Sequence, residues 1–134
     1  MAKLDTIEGI GPALSAKLSE AGIGTTDALL EAGGTQKGRA EIAVKSGMSE
    51  SQILEFVNHV DLMRIKGVGS EYSDLLEAAG VDTVPELAQR NAANLTAKME
   101  ELNAEKKLVR STPSESQVEG WVEQAKGLPK AVHH

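Results

Sequence analysis

The sequence predicts an all-α protein built from two copies of one helical unit. Three observations carry this. No stretch of the 134 residues alternates apolar and polar side chains long enough to make a strand. Helix-starting Ser, Thr and Pro residues and helix-stopping glycines punctuate the chain at short intervals. The chain also repeats itself. "IEGIGPALSAKLSEAGIGT" (7–25) falls on "IKGVGSEYSDLLEAAGVDT" (65–83) at an offset of 58, pairing Ile7 with Ile65, Gly9 with Gly67, Gly11 with Gly69, Leu18 with Leu76 and Thr25 with Thr83. "SESQILEFV" (49–57) falls on "SESQVEGWV" (114–122) at an offset of 65. The seven-residue difference places an insertion in the middle of the second copy, as about two helical turns or a longer loop.

In the first copy a turn of helix over 3–8 meets the Gly9-Ile10-Gly11 corner. A helix over 12–21 follows, with Pro12 in the first turn, where a missing N–H is harmless. Gly22 stops it. Thr25 or Thr26 caps a helix over 26–32 that ends at Gly33-Gly34. The next spans 35–46 and stops at Gly47. Ser49 with Gln52 forms a capping-box pattern that opens a helix to 63. The second copy reads as helices over 70–79, 83–90 with Pro85 near its start, 94–109, and 114–126, where Ser114 and Gln117 repeat the capping box. Each copy thus has about four to five helices. The expected division is 1–62, 63–128 and a disordered tail over 129–134, with His133-His134 resembling the stub of a purification tag.

Composition narrows the function. Apolar residues make up 40% and charged residues 25%, ordinary for a folded soluble chain. Phe56, Tyr72 and Trp121 are the only aromatics, too few for a platform that stacks successive bases. Without cysteine there is no disulfide, thiolate metal site or thiol nucleophile, which fits a reducing compartment. No apolar leader and no membrane-length apolar run are present, so the expected location is cytoplasmic and no membrane role is expected. The net charge is −6, against the basic balance usual in phosphate-binding proteins. Residues 1–62 carry 5 basic and 9 acidic side chains, and residues 63–134 carry 9 and 11, so a cationic patch belongs in the second copy.

The two glycine corners are the candidate binding elements. A short turn between helices needs positive φ or close chain approach, and glycine permits both. The turn N–H groups and the following helix N-terminus then face outward together and form an anion site. The pattern Ile-x-Gly-Ile/Val-Gly, followed by an apolar helix ending Ala-Gly-Ile/Val, resembles the helix-hairpin-helix superfamily over 5–24 and 63–82. The two copies together are similar to a bacterial tandem helix-hairpin-helix family of unknown function, across nearly the whole chain. The resemblance implies SAM-like, bundle-type packing and sequence-independent DNA binding, with hairpin amides on phosphates. Those amides belong here to Gly9, Ile10 and Gly11 and to Gly67, Val68 and Gly69, with Arg64 and Lys66 as the favourable cations. The resemblance also allows a monovalent cation on hairpin carbonyls, and no other cofactor is expected.

The copies differ at these corners. "IEGIG" has Glu8 where "IKGVG" has Lys66; Asp5 lies near the first corner, and Pro12 removes an N–H from the helix behind it. Glu71 and Asp74 sit early in the helix after the second corner, where carboxylates suit the helix dipole but repel phosphate. The second hairpin is therefore the expected contact, with a salt slope of about −2 from two cations. The competing reading makes both hairpins packing corners of an adaptor that recruits a basic protein partner.

Three further features bear on function. "EIAVKSGMSESQILEF" (41–56) has helix-turn-helix spacing at Ala43, Gly47 and Ile53, but Glu50 and Glu55 make a poor groove face, so a glycine turn is the preferred reading. Lys106, Lys107 and Arg110 form the densest basic cluster. It would extend a phosphate-tracking surface, or it serves as a solvated helix end with dipole-compatible cations, which is preferred. His59 is the only internal histidine, and no second histidine is placed to join it in a metal site. No nucleophile–base pair or phosphate-gripping lysine loop is present, so no enzymatic activity and no small-molecule substrate are expected.

Overall fold

A computed structural model describes residues 3–7 and 9–133; the Glu8 carboxylate, the Asp5 side chain and His134 lie outside what it describes. The described chain is all-α. A 3-10 turn, Leu4–Thr6, precedes α1 (Pro12–Glu20), α2 (Thr26–Gly33), α3 (Gln36–Ser46) and α4 (Glu50–Leu62). Then follow α5 (Ser70–Ala78), α6 (Val84–Ala88), α7 (Ala92–Lys106) and α8 (Glu115–Gly127). One isolated antiparallel bridge joins Lys3 to Thr25.

Two compact units result: Met1–Asp61 with Ala131–His134, and Leu62–Lys130. In the first, α3 packs on α1 and α2. Its core is aliphatic apart from Phe56, with Leu4, Ile7, Leu18, Leu29, Ile53 and Val57 closed from solvent. In the second, α8 packs on α6 and α7, and α5 on α7. Its core gathers Ile65, Leu75, Leu76, Leu87, Leu95, Met99 and Val118 around Trp121.

The two glycine corners share their backbone geometry. Gly9 and Gly67 have φ of 91° and 95°. Gly11 and Gly69 precede α1 and α5 with nearly the same dihedrals, −93°/−173° and −89°/−171°. Both helices end alike: the Ile23 N–H donates to the Leu18 carbonyl and the Val81 N–H to the Leu76 carbonyl, each at 2.9 Å. These are the wrap-around bonds of a Schellman C-cap.

The insertion is divided. α7 has 15 residues against 11 in α3, and eight residues (107–114) separate α7 from α8 where three (47–49) separate α3 from α4. α7 ends earlier than its apolar pattern predicts because Lys107 turns left-handed (φ 51°). Asn103 then holds the chain beyond, accepting from the Val109 N–H (2.9 Å) and donating to the Val109 carbonyl (3.1 Å). α6 stops at Ala88, short of the expected 90. Of the two capping boxes, Ser114 and Gln117 make both reciprocal bonds, and Ser49 accepts from the Gln52 N–H at 3.1 Å.

Gly33-Gly34 ends α2 as expected, and glycine is needed there although Gly34 is right-handed, at φ −68°. Space is the reason. A Cβ on Gly33 would come within 2.6 Å of Val57 Cγ2, and one on Gly34 within 2.6 Å of the Ala131 carbonyl oxygen. The tail, expected to be disordered, is packed at 131–133. Val132 is 2% exposed, and the His133 N–H donates to the Gly34 carbonyl at 2.7 Å. A buried apolar side chain and a backbone bond, which a polar-looking terminus conceals, hold it there.

Candidate functional site

Each glycine corner is a peg set into a core with glycines on its rim. Ile10 and Val68 point inward and are buried, whereas Gly9, Gly11, Gly67 and Gly69 are exposed. The peg amides are spent: Ile10 N–H donates to the Ile7 carbonyl and Val68 N–H to the Ile65 carbonyl, both at 3.1 Å. The central amides expected to meet phosphate therefore close the turns instead. The exposed rim belongs to the glycines and to the helix starts behind them.

Those helix starts are unusual within this chain. Thr25, Thr35, Asn91 and Ser114 cap α2, α3, α7 and α8 with their side chains, and Ser49 does so for α4. α1 and α5 open on Gly11 and Gly69 with no side-chain cap. Their first-turn N–H groups are left to other partners. Short α6 also lacks a side-chain cap; there Glu86 reaches back to the Asp82 N–H and the Thr83 hydroxyl.

The second corner is braced from α8 by residues that the sequence did not single out for this role. Gln124 grips the Lys66 peptide on both sides, accepting from its N–H (2.9 Å) and donating to its carbonyl (3.2 Å). Trp121, one turn earlier on α8, lies directly under Gly67, whose added Cβ would sit 3.0 Å from the indole Nε1. Phe56 lies in the same way under Gly9, at 3.5 Å from a Cβ built there. The Phe/Trp-Val match at offset 65 was the available signal: the aromatic is the floor of the corner. Gln124 had no such signal, since His59 occupies the corresponding position.

The two cations of this hairpin differ. Lys66 is exposed and makes no ion pair among the described residues. Arg64 is half-buried and donates to the Pro129 carbonyl at 2.8 Å, where it holds the chain leaving α8. At the helix-turn-helix-like segment, Gly47 is a left-handed cap (φ 77°) and Met48 is buried. Glu50 and Glu55 are both exposed on α4, which keeps that face acidic.

A family model described as a domain of unknown function, DUF4332, matches residues 8–128. The chain belongs to this family. Comparison with curated proteins and with solved structures gave no significant match. The DUF4332 match takes in both glycine corners, α1 to α8 and the long α7–α8 loop. No helix among the described residues is long and apolar enough to cross a membrane.

The rim glycines of this DUF4332 chain make separable demands. Gly67→Ala is expected to cost about 1–2 kcal/mol, from a left-handed φ and the close Trp121 ring. Gly69→Ala has open space and an ordinary φ, and should fall within about 0.5 kcal/mol of the parent. Urea midpoints at constant m-value check both; equal losses would mean that the corner is not shaped as described.

Proposed function

We propose that the two glycine corners are helix-hairpin-helix motifs, and that the protein binds nucleic-acid backbone through the second without reading sequence. One observation carries this reading: α5 opens on an exposed, uncapped glycine N-terminus beside an exposed lysine, while five other helices of the chain are capped by their own side chains. Helix-start amides without a side-chain cap attract anions, and a phosphate matches their geometry and dipole. α1 shares the backbone but not the chemistry, because Pro12 supplies no N1 amide. The binder is non-enzymatic in this reading, and the acceptor is a phosphodiester backbone rather than a base edge.

Trp121 is the only tryptophan and lies beneath Gly67, so its fluorescence reports occupancy of hairpin two directly. Titration with a short mixed-sequence duplex at about 50 mM salt should change that emission, and about 200 mM salt should weaken the response. Lys66→Glu is expected to remove the response, and Glu71→Gln to strengthen binding several-fold by clearing a carboxylate from the first turn of α5. Lys17→Glu, on α1, should leave it unchanged. Absence of binding at the lower salt would sink the reading. It would leave the adaptor reading, in which the net charge of −6 seeks a basic protein.

A further inference from the structure

Lys106, Lys107 and Arg110 sit in the one region that the second unit has and the first lacks. The eight-residue loop 107–114 replaces the three-residue link 47–49, and all three cations are exposed. None makes an ion pair among the described residues. The loop is shaped rather than slack: Asn103 pins Val109 by two bonds, and Val109 and Pro113 are buried. It is also fastened to α5. The Tyr72 hydroxyl donates to the Ser111 carbonyl at 3.1 Å, and the Tyr72 ring leans on Trp121, with centroids 5.2 Å apart at 53°. Trp121 in turn carries Gly67. A continuous chain of contacts, from Gly67 through Trp121 and Tyr72 to Ser111, therefore fixes the cationic loop beside the first turn of α5.

Lys107 adds a second kind of observation. It is the only non-glycine residue with positive φ among the described residues. That position favours glycine or asparagine, so a lysine there weakens the turn it makes. A basic side chain there contributes nothing to the turn itself, so its charge is available to a ligand.

We infer that the 107–111 loop is a second phosphate contact, and that Lys107 and Arg110 engage the same nucleic-acid backbone as hairpin two. This rests on the reading of hairpin two as a backbone binder. The insertion then accounts for a functional difference between the copies: the first has the corner without the basic loop. Glu71 is exposed on the first turn of α5, and Glu101 and Glu105 are exposed on α7. The cations thus share this unit with exposed carboxylates, and the contact should be weak and salt-sensitive.

The test is the salt dependence of binding to a labelled mixed-sequence duplex, with the full chain. Lys66 alone implies a slope of about −0.9, and Lys66, Lys107 and Arg110 together about −2.7. The parent should show the steeper slope, and Lys107→Gln with Arg110→Gln should reduce it to the shallower one. Lys107→Gly should raise the thermal midpoint while weakening binding, which separates a ligand contact from a helix end. If the parent binds through Lys66 and the loop variants leave affinity and slope unchanged, the loop inference is overturned and the hairpin reading stands. If the loop variants lose binding and Lys66→Glu does not, the hairpin reading falls, and with it the inference that the loop is a second contact beside the hairpin. A parent that fails to bind at about 50 mM salt overturns both.

Discussion

Trp121→Ala is expected to lower the stability of the second unit by about 3–5 kcal/mol, the usual loss for emptying a large aromatic site in a core. The ring is 3% exposed, packs in a cluster with Ile65, Val68 and Val118, and supports both Gly67 and Tyr72. Its removal therefore loosens the corner, the start of α5 and, through the Tyr72–Ser111 bond, the α7–α8 loop. Trp121→Phe should cost less than half as much, since phenylalanine serves at the matching place in the first unit. Helical circular dichroism in urea gives the stability, and amide exchange over 62–130 shows where it is lost. If phenylalanine is as damaging as alanine, ring packing is not what holds this corner.

Arg39→Ala should destabilise the first unit by about 2–4 kcal/mol, because it leaves a buried and a part-buried carbonyl without their charged donor. The guanidinium is 4% exposed and forks between the Gly33 carbonyl (2.9 Å) and the His133 carbonyl (2.8 Å). The first of these lies at the C-terminal end of α2, where the helix dipole favours a cation. The second ties down the tail that covers Gly34 with Ala131. Arg39→Lys should recover only part of the loss, since a single ammonium does not reproduce the planar fork. Exchange of the His133 amide, bonded to Gly34, reads the tail directly. A His133 amide as protected in Arg39→Ala as in the parent would show that the clasp does not depend on this side chain.

Local chemistry made most helices legible. Ser114-Glu115-Ser116-Gln117 is a cap because the atoms that close it lie within four residues of each other. Gly22 and Gly80 stop helices through bonds made inside the same turn. The offset alignment identified the two corners as equivalent, and their matching dihedrals follow from the same residues in the same local order. What the sequence did not show depends on partners distant in the chain. Gly33-Gly34 is required by Val57 and Ala131, not by its own φ. The tail binds through Arg39, 94 residues away from His133. Arg64 donates to the Pro129 carbonyl, 65 residues further along the chain.

The sequence by itself determined the helices, their caps, the duplication and the charge difference between "IEGIG" and "IKGVG", because each is written in neighbouring residues or in one alignment. Only the tertiary structure decided which corner atoms remain available. Ile10 and Val68 turn inward and are buried in their cores, and their amides close the turns. Gln124 and Trp121 brace the second corner from a helix that begins about 50 residues later in the chain. Packing brings the cationic loop to the same corner through Tyr72. Burial and long-range hydrogen bonding are properties of the assembled unit, and no local spacing encodes them.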